Sequence, residues 1–513
     1  MAKIYIYITI IILPLTSCNS WLELEPVGSK NTNNYIGDYS SAVSAYNGVH
    51  QTFLNLYSAG YPAMLDVISD DSFTISVADG PFFKTVDRLQ MSEGIGSEYY
   101  GSLYNGISKI NTALNTIENA EITLEEIEKI DVIRGQMLFM RGYFYFTLVR
   151  LYGQVPIVPF VENVEGSKHP RASFETLYTE IEQNLTAARD ILPEKLNGTL
   201  GLEYGKPHKA AAIMALTDFY IYFEKWQKAR DEVKKITGNG SFTKIEYQTI
   251  FNQEDDNLGI EYSDEYNKEV IFDAYYDLLG TQGFTWRMTP MGRNVNRSGY
   301  ELAVGGYCTD NSLNPHNPED ELSAYKGENG GLGIVDEFEV GDIRVSTLFW
   351  QDNVTSPDVS GYYGCIKYDC ASYGAGNSTL NYPVYRYSEA LLWLAEAENE
   401  LNNSSEAKRI IDEEIRAKAG LPNCTANDKE SLRVAILKER RIELAFEAKR
   451  FFDLNRMGLA KEYLEDKQHG VQSGGISLHM INNPITGKDN FVFPIPLNEI
   501  NGNPHIGSNN PGY

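Results

Sequence analysis

Residues 210 to 236 read AAAIMALTDFYIYFEKWQKARDEVKKI, apolar nearly throughout the first half and amphipathic in the second. An apolar helix must be covered on all sides and an amphipathic one along a stripe, so this run predicts two packed helices joined at Glu224 to Trp226. The Ala residues of the first let a neighbour approach closely, and Trp226 sits where the hairpin turns. A chain of this kind buries helix against helix.

The pattern recurs along the sequence. In VIRGQMLFMRGYFYFTLVRLYG, Ile133, Met137, Met140, Phe144, Leu148 and Leu151 follow one another at steps of four and three along a helical face, and Gly153 and Pro156 stop the helix. SFETLYTEIEQNLTAARDIL (173–192) starts on a Ser173 cap and ends before Pro193. Tyr387 to Leu401 followed by Ser405 to Ala419 makes another pair, and Leu432 to Phe446 followed by Glu447 to Met457 a further one. Such pairs are the unit of the tetratricopeptide repeat, here dispersed and without its strict period of about 34 residues. The expected fold class is therefore mainly α: a tetratricopeptide-repeat scaffold of about four divergent helix pairs, carrying an irregular lobe of loops and short strands.

That lobe is visible in composition. Residues 280 to 376 hold 15 of the 43 glycines, many Asn and Tyr, and little helical periodicity. A long irregular insertion in a compact chain is usually functional or mobile, so the ligand is expected there. The expected organisation is a signal segment (1–17), a polar leader (18–38), an N-terminal helical region (39–239), the ligand-lobe insertion (240–383) and C-terminal helices (384–513).

At the N-terminus, Lys3 followed by the apolar run Ile4 to Leu13 has the form of a secretory signal, too short to span a bilayer. Leu15-Thr16-Ser17-Cys18 resembles the bacterial lipobox, in which the cysteine is lipidated and becomes the new N-terminus. Cys18 is the expected lipidation site, where acyl (palmitate) chains tether the protein at about 0.8 kcal/mol per buried methylene. Removing Lys3 takes the 44 basic residues to 43, and against 70 acidic residues the net charge becomes −27. That balance argues against nucleic acid as a partner, since phosphate neutralisation needs a Lys/Arg-rich face. The 34 Tyr and 22 Phe, against 5 Trp, suit polar ligands with flat apolar faces. Of the remaining cysteines, Cys308, Cys365, Cys370 and Cys424, none makes a CxxC pair, and Cys365 and Cys370 are spaced to bridge a short loop in an oxidising compartment.

LKERRIELAFEAKRFFDLNRMG (437–458) is the densest charged cluster. Its carboxylates Glu439, Glu443 and Glu447 beside Arg440, Arg441 and Arg450 have the ingredients of acid/base chemistry. The expected role is structural: a helix whose charges pair at helical spacing, Arg440 with Glu443 and Arg450 with Asp453, spread round it while Leu444, Phe451 and Leu454 face inward. No catalysis and no metal site are assigned, since the chain has no G-x-S-x-G elbow, no P-loop and no zinc-spaced pair among its 7 histidines.

The segments RYSEALLWLAEAENELN (386–402), IRAKAGLP (415–422), LKERRIELAFEAKRFFDLNRMG and FPIPLNEINGNPHIGSNNPGY (493–513) resemble, in order and spacing, the C-terminal signature of the SusD/RagB family of outer-membrane lipoproteins. YSSAVSAYNGVHQTF, LYNGISKINTALNTIE, RGYFYFTLVRLYGQVPIV, KEVIFDA and EVGDIR agree, with Tyr104 where the family often has Trp and Phe493 where it often has Tyr. The resemblance implies a non-enzymatic, surface-exposed, lipid-anchored protein of the cell outer membrane. It implies no cofactor, a glycan ligand, and a SusC-like TonB-dependent transporter as partner. Capture of peptides on the same scaffold, and a hydrolase hidden in the insertion, stay open as alternatives, since glycoside hydrolysis needs only two placed carboxylates.

A sugar site needs aromatic rings for C–H faces and amide, carboxylate or guanidinium groups for hydroxyls. Two loop regions offer them: DDSFTISVADGPFF (70–83) with Asp70, Phe82 and Phe83, and FTWRMTPMGRNVNRSGY (284–300) with Trp286, Arg287, Asn296 and Tyr300.

Overall fold

A computed structural model of the protein describes residues 35–58, 60–74, 81–87, 89–161, 165–194, 205–245, 247, 250, 266–276, 302–308, 334–352, 361–365, 367, 381–465 and 478–513. Eight helices fill the N-terminal part: α1 (Tyr39–Ser58), α2 (Tyr61–Ile68), α3 (Pro81–Asp87), α4 (Ser97–Asn119), α5 (Ile127–Tyr152), α6 (Phe174–Ile191), α7 (Lys209–Tyr222) and α8 (Trp226–Thr237). The longer ones pack in series, α1 on α4, α4 on α5, α5 on α6, α6 on α7 and α7 on α8. The fold is mainly α, as expected.

Local sequence explains the boundaries. Ser173 Oγ accepts the Thr176 amide at 3.1 Å and starts α6, while Gly153 ends α5 at φ 73°. A side chain at Gly153 would sit 2.5 Å from Ile481 Cδ1, so the chain approaches there as only glycine can. Glu224, at φ 56°, makes the tight turn into α8, which begins at Trp226. One expectation was too narrow: α5 buries the predicted face, but Phe139, Tyr143, Tyr145 and Phe146 on its other sides are buried too, because α1, α4 and α6 surround it.

Short strands come from the stretch between α2 and α3 and from the inserted region. β1 (Ser72–Thr74), β3 (Leu302–Cys308), β4 (Leu348–Asp352) and β5 (Gly361–Cys365) form an antiparallel sheet in the order β1-β3-β5-β4. β2 (Val270–Ala274) pairs with β6 (Tyr382–Arg386), buried throughout.

The C-terminal part holds α9 (Tyr387–Glu400), α10 (Ser404–Arg409), α11 (Lys429–Glu443), α12 (Arg450–Arg456) and α13 (Ala460–Leu464), the hairpin β7 (Met480–Asn483) and β8 (Lys488–Phe491), and α14 (Leu497–Gly502). α9 packs on α8 and on α11, which continues the helical series. Two expected helices are interrupted. The run from Ser405 to Ala419 is α-helical only to Arg409, then widens into π turns over Ile410–Arg416 and tightens before Gly420. α11 stops at Glu443 instead of Phe446, and the chain unwinds through Phe446 at φ 60° and Ala448 at φ 58° before α12.

Candidate functional site

The two loop regions expected to carry ligand lie some two hundred residues apart, yet their anchor points are neighbours in one sheet. β1 runs antiparallel to β3 with Ser72 opposite Val304 and Thr74 opposite Leu302. The C-terminal end of β1 and the N-terminal end of β3 therefore lie at the same end of the sheet. Phe82, on α3, is half-buried with its ring 6.4 Å from that of Tyr99 on α4. The side chain of Phe83 lies outside the described residues, as do Trp286, Arg287, Asn296, Tyr300, Cys18, Cys370 and the side chain of Cys365.

Asp70 does not belong with these residues as a ligand contact. Its two carboxylate oxygens accept from Arg450 at 2.7 and 2.9 Å, and Arg441 lies 2.9 Å away. With both oxygens occupied and the residue buried, it holds the root of β1 instead of facing a ligand.

Asp70 is one edge of a buried lattice of ions. Glu443 receives Lys244, Arg386 at 3.0 Å and Arg344 at 3.4 Å. Glu447 receives Arg386 at 2.9 Å and Lys367 at 2.5 Å. Arg344 also bonds Asp342 at 2.8 Å and Glu439 at 2.9 Å, and Arg441 bonds Asp71 at 2.7 Å. This corrects the expected charge pattern. Arg440 pairs with Asp453 at 3.0 Å and Arg450 with Asp70, because the break after α11 folds the charges onto other elements instead of along one helix.

The break and the lattice explain each other. Non-glycine residues at positive φ cost about 1–3 kcal/mol apiece and persist only where surroundings fix them. Here Lys367 Nζ donates to the Ala445 carbonyl at 2.8 Å, Arg386 donates to the Glu443 carbonyl, and the Ala448 amide donates to Asp66 Oδ1 at 3.1 Å. The unwound backbone groups are satisfied by the charges they help to bury.

The lattice also mounts the sheet. Asp70 and Asp71 immediately precede β1, Arg344 lies four residues before β4, and Lys367 lies two residues after β5. Three of the four strands thus have a buried ion pair at their root, all reaching α11, α12 or the segment between them. Burial works against charge on Glu443, but Lys244, Arg386 and Arg344 outweigh it and hold its carboxyl well below the usual range. The same balance lowers Glu447 and Asp453. Asp66 is different: burial first, then the neighbouring Asp71, push it well above its ordinary value, and its Oδ2 has no hydrogen-bond partner among the described residues. Carboxylates saturated by guanidinium and ammonium groups are poised to hold strands, not to exchange protons with a substrate. Among the described residues no group of three or more His, Cys, Asp or Glu is placed to hold a metal ion.

Sequence reasoning missed the lattice although a signal was present. Glu439, Arg440 and Arg441 are consecutive and so point about 100° apart. With Ile436 and Ile442 also needing burial, they could not all reach solvent.

Comparison with known proteins agrees with this architecture. The SusD family model matches residues 351–513, and the family described as starch-binding associating with outer membrane matches residues 67–221. SusD-like protein P2 of Formosa agariphila is 25% identical over 535 residues, covering 100% of both chains. Among solved structures, a laminarin binding SusD-like protein aligns with TM-score 0.69 at 22% identity over 93% of this chain and 100% of its own. Surface glycan-binding protein A from Bacteroides fluxus aligns with TM-score 0.68 at 19% identity over 93% and 100%. These structural likenesses establish the fold, and the two family-model matches together with the full-length relative support a SusD-like protein.

Proposed function

We propose that the mature chain is a lipid-anchored protein of the outer membrane, facing the exterior, that binds oligo- or polysaccharide without altering it and passes it to a SusC-like TonB-dependent transporter. The observation that carries this reading is the match to the starch-binding, outer-membrane-associating family over residues 67–221, a stretch that contains β1 and the loop beyond it. A fold shared with a laminarin binding protein supports a glycan as ligand. The pairing of Thr74 with Leu302 supports a single site that draws on both loops, with Phe82, Phe83, Trp286 and Tyr300 as stacking rings and Arg287 and Asn296 for hydroxyls. Cys18 is the anchor, and stacked helix faces suit a protein partner.

Calorimetry on the chain lacking residues 1–18, with laminarin, malto-oligosaccharides and peptides as separate titrants, tests the reading. The expected result is saturable binding of a glycan whose mass is unchanged, weakened at least several-fold by Trp286→Ala at constant Tm, a loss of about 1 kcal/mol or more. Binding of peptides alone, or a ligand of altered mass, would overturn it. In cells lacking the transporter, Cys18→Ser should leave the membrane fraction, and retention after high-salt washing would remove Cys18 as the anchor.

A further inference from the structure

A second concavity opens between α4, the segment 156–161 and α14, and it encloses about 210 Å³. Pockets for drug-sized ligands run to about 300–1,000 Å³, so this one has the size for one ring and not for a chain. We propose that it binds a single pyranose ring, preferring a protonated amino sugar to a neutral sugar and excluding a uronate.

The walls supply the apolar half of that chemistry. Tyr100 and Tyr104 lie one helical turn apart on α4 with ring centroids 4.8 Å apart and a 44° tilt, and Ile107, Val158 and Pro159 line the cavity beside them. Such a surface takes the C–H face of a sugar.

Several polar groups of the wall are already engaged. The Tyr104 hydroxyl donates to the Pro156 carbonyl at 2.6 Å, and Asn111 Nδ2 donates to the Val158 carbonyl at 2.7 Å. The Thr112 hydroxyl donates to the Ser108 carbonyl at 3.0 Å, and Asn503 Nδ2 donates to the His169 carbonyl at 2.8 Å. The two hydroxyls keep lone pairs for a ligand, while each amide keeps one N–H, its oxygen already accepting from Arg141 Nη1 or from the His505 amide. Glu499 completes the set: half-buried at the cavity edge, its carboxylate makes no side-chain hydrogen bond or ion pair with the described residues. Burial pushes it above its ordinary value, and its charge is felt by both tyrosines. No Lys or Arg lines the cleft. A cleft with one carboxylate that no cation on its walls compensates selects a ligand that brings an ammonium and rejects a second carboxylate.

The proposal does not depend on the glycan site at the end of the sheet, and its test separates the two. The chain lacking residues 1–18 is titrated at neutral pH with the methyl glycosides of glucosamine, glucose and glucuronic acid. The glucosaminide should bind about tenfold more tightly than the glucoside, the worth of one charge-assisted hydrogen bond, and the glucuronide should not bind. Glu499→Gln should erase that preference. Ser108→Trp, at the exposed rim, should abolish binding of the glucosaminide and the glucoside at unchanged Tm, while Trp286→Ala should leave it intact. Failure of all three sugars to bind, equal binding of all three, a preference that survives Glu499→Gln, or binding that survives Ser108→Trp would each overturn the proposal.

Discussion

The N-terminal helices and the C-terminal helices of one chain are held by different forces. Around α1, α4 and α5 the interior is aromatic: Phe53 lies 5.0 Å from Tyr57, 5.9 Å from Tyr143 and 5.3 Å from Phe272, ring to ring, and the Tyr57 and Tyr143 hydroxyls bond each other. Around α11 and α12 the interior is ionic, with Glu443, Glu447, Arg344 and Arg386 all buried. At the seam Arg150 sits between the rings of Phe146 and Phe452, 4.2 and 4.1 Å away, and bonds Asp218 at 3.0 Å. The aromatic half packs helices on helices, which area alone can do. Short strands offer little apolar area, so the ionic half fastens them by directional bonds to specific backbone and side-chain groups.

The largest effect should come from removing the lattice's most connected carboxylate. Glu443→Ala leaves Lys244, Arg386 and Arg344 buried beside one fewer charge and should cost about 3–5 kcal/mol in urea denaturation. The loss should shrink in acid. Glu443 is held below its unfolded value, so its contribution is full above the unfolded pKa of about 4.3 and disappears as pH falls through the folded one. A cost below about 1 kcal/mol at neutral pH would mean that the ions are passengers and the comparison is false.

In the aromatic half, Phe139→Ala should cost about 3 kcal/mol through the cavity it leaves. That cost should not change between about pH 7 and pH 4, since its ring partners Tyr143 and Phe272 do not titrate in that range. Equal pH dependence in the two variants would erase the distinction between halves. A smaller effect sharpens the helix account: Ser173→Ala removes the cap of α6 and should lower stability by about 1 kcal/mol.

The smallest effect has the opposite sign. Asp66 is raised, so whatever stability it gives is present below its unfolded pKa of about 3.9 and is lost as pH rises through the folded value. Asp66→Asn keeps an acceptor for the Ala448 amide, removes the buried charge, and should raise stability at neutral pH by up to about 1 kcal/mol. A destabilisation there would show that Asp66 is ionised and satisfied in the fold.

How much of this could be read from the sequence follows the same division. The aromatic half was legible because helical periodicity, the Ser173 cap and the Gly153 stop act locally, and each appears where expected. The lattice was not, because Asp70 meets Arg450 and Glu443 meets Lys244 across separations that no spacing rule reaches. The break at Phe446 and Ala448 is likewise set by distant groups such as Lys367 and Asp66, not by breakers in LAFEAKR. For the candidate site, the two loop regions were chosen on composition. The juxtaposition of the end of β1 with the start of β3, fixed by Thr74 opposite Leu302, needed the strand register. Asp70 was singled out as a charged loop residue, and only its arginine partners reveal it as an anchor.

The ion lattice mounts the β1-β3-β5-β4 sheet on the helical scaffold. Hydrogen exchange at about pH 7 and about pH 3, corrected for intrinsic rates, tests it most directly, because acid protonates carboxylates that the lattice holds low. The amides of β1, β4 and β5 should lose protection first, while those of α4 and α5 stay protected. Loss of α4 and α5 together with the strands, or before them, would contradict the claim.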